Sequence, residues 1–281
     1  MGKKRIIIYI ILLTLAFVAC YPILFLLTGS FMSQDELREH LSPILYGTSQ
    51  YTRWQFIPTY PTGKSFVELL MDSPKFFLTF WNSTKITVGI LLGQLVVSVP
   101  AAWGFSRFKF PCKKLIFTLY IILMMMPFQV TMLSSFLVLD SMQLVNTHWS
   151  VILPGMFSTF PVFIMCNFFN GIPEAIIESA KIDGASNIRI FFHLGIPLGS
   201  SGIISILVLG FLENWNLIEQ PLTFLEDKAL WPLSLFLPNI SLDNAGLAFA
   251  SSVITLIPAV LVFICGQNYL EQGIMATAVK E

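Results

Sequence analysis

Charge is what this sequence has least of. Only 11% of its 281 residues are Asp, Glu, Lys or Arg, against about 25% in soluble domains, and a soluble globule of this size needs more than that to cover its surface. The 16 basic and 16 acidic residues cancel, so no global charge draws nucleic acid or an acidic substrate. Histidine is scarce too: His40, His148 and His193 are mutually remote and lack paired carboxylates, which leaves hydrolytic or metal chemistry without support. The four cysteines, Cys20, Cys112, Cys166 and Cys265, show no C-x-x-C spacing. At least three lie in apolar runs and read as small packing residues rather than disulfides or metal ligands. What fills the chain instead is apolar: 55% hydrophobic residues, 26 of them Phe, and a mean hydropathy of +0.76. A soluble enzyme, a nucleic-acid binder and a disordered scaffold all fit poorly; a membrane protein fits.

A helix crosses the ~30 Å hydrocarbon core with roughly 20 apolar residues. Six stretches qualify: 6–27, 84–106, 114–138, 148–169, 198–217 and 245–270. Lys3, Lys4 and Arg5 ahead of the first could open a signal peptide, but the apolar run is too long and no small-residue cleavage site follows, so it reads as a retained span. Basic residues set the orientation. Lys3, Lys4, Arg5, Arg107, Lys109, Lys113, Lys114, Lys181, Arg189 and Lys280 fall in the segments before span one and after spans two, four and six, whereas the loops after spans three and five hold only Lys228. Long loop 28–79 is exempt from the count, and both termini are therefore expected in the cytoplasm. Two apolar stretches of that outer loop, Ser65–Met71 and Pro74–Leu78, read as short helices on the outer surface.

Several motifs fail on inspection. Pro58 to Ser65 ends like a phosphate-binding loop, but its first Gly is missing and no strand precedes it. Asn82-Ser83-Thr84 has the form of a glycosylation acceptor yet sits at the membrane edge. Gly89-x-x-x-Gly93 permits close helix contact, either within this chain or with a second transmembrane subunit. Pro127, Pro161 and Pro258 fall near the middle of spans three, four and six and are expected to kink them; bent helices around Gln129 and Thr131 suit a translocation path.

The loop 171–198, GIPEAIIESAKIDGASNIRIFFHLGIPL, is the most informative segment. Pro173 suits a first helical position and Glu174 the positive end of the helix dipole. Ile172, Ile176 and Ala180 fall on one face with Ile177 beside them; Glu174, Glu178 and Lys181 fall on the other. Asp183-Gly184 stops this helix, Gly supplying the left-handed position. Ser186 can cap a second short helix, which Pro197 ends. So short a helix must lean on something. Helices lying on lipid headgroups carry a basic polar face. This one carries three acids and one base through Asp183, which favours a protein partner.

The run Glu178-Ser179-Ala180, then Gly184, then Leu194-Gly195-Ile196-Pro197 resembles the EAA loop of ABC importer permeases, whose pattern is E-A-A, Gly four residues after the second Ala, and I-x-L-P. Ser for the first Ala and the Leu/Ile exchange are the departures. Asn82-Ser83, the run from Pro100 to Pro111, Gln143-Leu144-Val145-Asn146-Thr147 and Ala278-Val279-Lys280 resemble the carbohydrate branch, the maltose- and glycerol-phosphate-type permeases. The likeness covers nearly the whole chain and is weakest in 28–60 and 219–245. It implies an all-α, polytopic type I permease: one transmembrane domain over 1–281, with six helices, kinked core spans and a cytoplasmic coupling helix, in a bacterial cytoplasmic membrane. It further implies a second homologous permease, two cytosolic ATPase subunits that bind the ATP and Mg, an extracytoplasmic binding protein and a carbohydrate substrate. This chain itself would bind no cofactor and catalyse nothing. The coupling residues implied are Glu174, Ile177, Glu178, Ser179, Ala180, Asp183, Gly184 and Pro197, with helix 173–183 docking in an ATPase groove.

Two other readings compete. A secondary transporter would show inverted repeats with broken spans or buried ionic relays, and a membrane scaffold or integral enzyme would need clustered catalytic side chains in the second case. Neither feature is visible. For the solute path the candidates are Gln129, Thr131 and the run Glu213-Asn214-Trp215-Asn216 late in span five, where an acid is functionally suggestive and Trp and Asn suit a sugar; Trp at that depth is also a common interfacial anchor. In maltose-type systems the partner permease holds the sugar, which leaves a site on this chain open.

Overall fold

The structure, a computed structural model, describes residues 3–47, 55, 57–236, 241 and 243–278. Val279 and Lys280, used above for the tail motif and the orientation, lie outside the described residues, as do the side chains of Lys3 and Lys4. Every regular element among the described residues is helical. Four helical stretches are long and apolar enough to cross a membrane: Ile7–Ser30, Pro74–Arg107, Trp149–Asn170 and Ala245–Leu270. The other two expected spans are bent pairs, Lys113–Met125 with Phe128–Ser141 at 105° and Asn187–Leu198 with Ser200–Trp215 at 68°. Six spans result if each pair is one.

Contacts divide the chain into two compact units, Met1–Phe77 with Phe236–Pro258, and Leu78–Leu235 with Ala259–Glu281. In the first, α1 (Lys3–Ser30) is uncharged beyond Arg5. It is followed by α2 (Gln34–Leu45), whose Ser33 cap accepts from the Glu36 N–H and whose first turn carries Asp35 and Glu36, the charges a helix N-terminus favours. Met32, Leu37, Leu41, Ala245 and Phe249 form its core. Loop residue Thr59 donates its N–H to Glu36 Oε1 at 2.8 Å, and Arg38 pairs with Asp243 at 2.6 Å. Of the two expected surface helices, the first is α3 (Lys64–Met71). The second is not separate: Pro74–Leu78 is the start of α4 (Pro74–Arg107). Pro74 opens that helix where its missing N–H costs nothing, and no breaker follows before Pro100. At 34 residues α4 outreaches the hydrocarbon core by roughly 20 Å at ~1.5 Å per residue.

In the second unit α4 packs on α7 (Trp149–Met156) through the two glycines of the GxxxG run. A Cβ at Gly93 would sit 2.3 Å from Met156 Cβ, and one at Gly89 3.0 Å from Ile152 Cδ1. Those glycines therefore serve packing inside this chain. Asn82 and Ser83 are buried, and what they do is hold the loop at 229–233: Asn82 Nδ2 donates to the carbonyls of Ala229 and Trp231, and Ser83 Oγ accepts from the Leu233 N–H at 2.7 Å.

The prolines act differently from the expected mid-span kinks. Pro127 stands between α5 (Lys113–Met125) and α6 (Phe128–Ser141), at a full break rather than a kink, because the ring cannot continue α5 and fixes an extended backbone there. Pro161 lies in the first turn of α8 (Thr159–Asn170), where no backbone donor is needed; the interruption of that span is at Phe157 and Ser158 instead. Of these three, Pro258 alone stands well inside a continuous helix, α13 (Ala245–Ala278), as expected. The helices between are α9 (Glu174–Ile182), α10 (Asn187–Leu198), α11 (Ser200–Trp215) and α12 (Glu219–Phe224).

Candidate functional site

Two places gather the residues singled out in the sequence. The first is the loop 171–198. Pro173 caps α9 just before its first residue, one position earlier than expected. At the other end Gly184 has φ +80. The Ala185 N–H reaches the Ala180 carbonyl and the Gly184 N–H the Lys181 carbonyl, both at 3.0 Å. This pair of closing bonds is the Schellman ending, which needs a residue with positive φ between the donors. Ser186 then caps α10, its Oγ accepting from the Arg189 N–H at 3.3 Å.

The inward face of α9 is set by Ile177, 5% exposed, with Ile172 and partly buried Ala180. Ile176, expected inside, is 39% exposed. The reason is tertiary: Ile177 joins the cluster built by Trp103, Phe169, Ile190 and Phe191, and one residue of helix rotation, about 100°, turns Ile176 out. Burying one such side chain contributes about 1.5–3 kcal/mol, which a nine-residue helix cannot forgo. The outer face is mixed. Glu174, Glu178, Ser179 and Asp183 are exposed, and so are Ile182 at 85%, Ile188 at 72% and Phe192 at 58%. Ser179 Oγ donates back to the Ala175 carbonyl. Pro197 lies in the last turn of α10, which ends at Leu198 before the 68° bend.

One residue of this site was missed because it counted only toward topology. Arg107, the last residue of α4, donates Nη2 to the carbonyls of Phe169 and Ile172, the latter at 2.8 Å, and its guanidinium lies 5.5 Å from the Trp103 ring centroid. Trp103 meets Phe169 edge-on at 5.1 Å, and a Cβ on Gly195 would come within 2.8 Å of the same indole. Arg107 thus ties the end of α4 to the end of α8 and the entry of α9.

The second place is a cavity of about 380 Å3 in the same unit. Of the residues singled out for a solute path, Thr131, Glu213 and Asn214 line it; Gln129, Trp215 and Asn216 do not. Gln129 Nε2 donates to Glu219 Oε1 at 2.7 Å, tying α6 to α12. Trp215 is 3% exposed, stacked on Phe211 at 5.3 Å and edge-on to Phe80, so its ring serves packing. Asn216 Nδ2 donates to the Leu212 carbonyl of its own helix. Two lining amides had escaped attention, Gln94 and Gln220. Gln94 Nε2 donates to the Gly155 carbonyl at 3.0 Å, beside the break in span four. No group of three His, Cys, Asp or Glu able to hold a metal occurs among the described residues.

Comparison with known proteins fits this architecture. The family described as "Binding-protein-dependent transport system inner membrane component" matches residues 85–276. An arabinooligosaccharides transport system permease protein, AraQ, of Halalkalibacterium halodurans is 28% identical over 95% of this chain and 93% of its own. A putative ABC transporter permease protein of Caldicellulosiruptor is 31% identical over 99% and 97%. The sn-glycerol-3-phosphate permease UgpE of Salmonella typhi is 27% identical over 73% and 75%. In fold, the chain superposes with a TM-score of 0.81 on a chain of a bacterial ABC transporter involved in the import of the acidic polysaccharide alginate, at 20% identity and with 96% and 98% of the two chains covered. The chain belongs to the binding-protein-dependent transport inner membrane components: it is a multi-pass, non-catalytic permease subunit of an ABC importer, in which partner ATPases hydrolyse the ATP.

Proposed function

We propose that the imported solute is a carbohydrate, an oligosaccharide or sugar derivative, and that helix 173–183 couples its passage to the cytosolic ATPases. The observation that carries the first part is coverage. Relatives named for arabinooligosaccharides, galactooligosaccharides and lactose align over 95–98% of this chain, whereas the glycerol-3-phosphate permeases align over 73%. The second part is supported by the outer face of α9 and α10, where Ile182, Ile188 and Phe192 stand exposed among Glu178 and Asp183. Apolar knobs with a charged rim suit a groove in a protein partner better than an anionic headgroup layer. The chain forms the translocation path with a second permease and receives solute from an extracytoplasmic binding protein.

Transport is expected to depend on that binding protein, and the purified chain alone to bind sugar feebly or not at all. Calorimetry on the isolated subunit checks this; micromolar sugar affinity would contradict it. Complexes reconstituted with the partner permease, ATPases and binding protein should hydrolyse ATP faster when an oligosaccharide is supplied. The proposed orientation places both termini and the 107–114 turn in the cytoplasm, on the Lys/Arg asymmetry of the short loops. Reporter fusions at residue 110 and at the C-terminus should read inside, and fusions at 60 and 230 outside. An external signal at 110 would undo it.

A further inference from the structure

The cavity beside α6 and α11 carries charge of one sign only. Glu213 is its sole ionisable lining residue; no Lys, Arg or His lines it. The Glu213 carboxylate is exposed and makes no hydrogen bond or ion pair with any described residue. Around it the polar groups are neutral: the amides of Gln94, Asn214 and Gln220 and the hydroxyls of Thr131 and Ser135. Gln94 adds an independent observation. Its residue is 4% exposed, and the Gly155 carbonyl can be met only by the amide nitrogen, which fixes the side chain's orientation. The Oε1 is then left buried without a partner. An amide carbonyl in that condition costs free energy until a donor reaches it. Asn214 spends one of its two amide hydrogens on the Gly210 carbonyl at 2.7 Å.

We propose that this cavity is an anion-excluding section of the solute passage, set by Glu213, and that the imported carbohydrate is neutral rather than phosphorylated or uronic. The inference rests on the carbohydrate reading above and narrows it. A carboxylate is an acceptor, matched to the O–H donors of a polyol. A phosphate or carboxylate brings only acceptors and like charge, and the lining holds no Lys, Arg or His to offset that repulsion. Recognition of an anionic solute would instead call for Arg or Lys at the lining. A repulsive charge on the wall is itself a means of discrimination against like-charged solutes.

The test reads the local potential directly, without relying on which sugar is carried. In the assembled complex, with Cys20, Cys112, Cys166 and Cys265 replaced by Ser, Thr131→Cys is a reporter in the wall and Ser135→Cys is a second one. Each is treated with a trimethylammonium and with a sulfonate methanethiosulfonate, and rates are normalised to those with a free thiol. The cationic reagent should be favoured by about tenfold or more. Adding Glu213→Gln should bring the ratio close to one, while Glu213→Asp should keep it. Equal normalised rates at both reporters, or a preference that survives Glu213→Gln, would overturn the proposal. Uptake by the unmodified complex separates the two claims. If the cationic preference holds but no carbohydrate enters, the carbohydrate reading fails and the charge selectivity stands; if neutral oligosaccharide enters without any preference, only the selectivity fails.

Discussion

Replacing Gly184 by Val is expected to abolish solute-stimulated ATP hydrolysis and uptake while the protein still inserts and assembles. Gly184 has φ +80 and sits between the two donors that close α9. A Cβ there would meet nothing within 4 Å, so crowding is not the obstacle. The obstacle is the backbone. A side chain in the left-handed region costs on the order of 1–2 kcal/mol, more when β-branched. A bundle whose core is buried elsewhere tolerates that loss, but the local chain relieves it by leaving positive φ. The Ala185 and Gly184 N–H groups then lose their carbonyls, and α9 is re-aimed relative to the Ser186 cap of α10. Gly184→Asn is the control, since Asn occupies the left-handed region readily, and it should retain most of the activity. Reconstituted complexes, with subunit association followed by co-purification, give the readout. A fully active Val variant would detach the loop from coupling. An inactive Asn variant would mean that something other than backbone conformation matters at this position.

How far the sequence reaches depends on what kind of information a feature needs. Span positions need only composition, and four of the six stand as expected, α4 merely starting earlier at Pro74. The stop at Gly184 and the cap at Ser186 are equally local, and both hold. Pro127 is visible as a disruption, but the 105° between α5 and α6 is fixed by what packs on either side, which no single stretch encodes. Rotation about a helix axis is the least accessible quantity. In and just before α9 bulky apolar residues occur at 172, 176, 177 and 182, so the pattern permits an inward face centred on either Ile176 or Ile177. Trp103 and Ile190 decide between them. The ambiguity is itself informative: a helix apolar on two sides has one side for its own bundle and one to spare.

The same limit explains the solute-path residues. Glu213, Asn214 and Trp215 are consecutive, so at about 100° per residue they cannot all face one cavity. The structure turns the first two toward it and Trp215 into the packing against Phe211 and Phe80. Gln94 was overlooked as a single amide in an apolar run. What singles it out is a tertiary fact, a hydrogen bond to a carbonyl 61 residues away.

Arg107→Leu is expected to uncouple ATP hydrolysis from solute, with basal hydrolysis kept and the solute-stimulated part reduced by about tenfold or more. Arg107 is a positioning residue: it touches no solute, but its guanidinium accounts for two carbonyls at the junction of α8 and α9 and covers the Trp103 ring. Helix ends leave carbonyls without intrahelical partners, and a basic side chain is one way to meet them. Taking it away leaves the Ile172 carbonyl short of a donor, at about 1–3 kcal/mol where water cannot replace it, while the Phe169 carbonyl keeps the Ile172 N–H. Ile172 and Ile177 still anchor α9 by apolar contact, so the helix is expected to persist but to lose its fixed relation to α4. Arg107→Lys separates charge from geometry. A lysine keeps the positive end of α4 and the local topology signal, but as a compact point charge it lacks the planar fork that serves two carbonyls and stacks on an indole. The Lys variant should therefore fall between wild type and Leu in stimulated hydrolysis and match wild type in membrane insertion. If Lys performs as well as Arg, the charge alone suffices. If Leu performs as well as Arg, the apolar cluster holds α9 unaided and the junction of α4 with this loop carries no coupling.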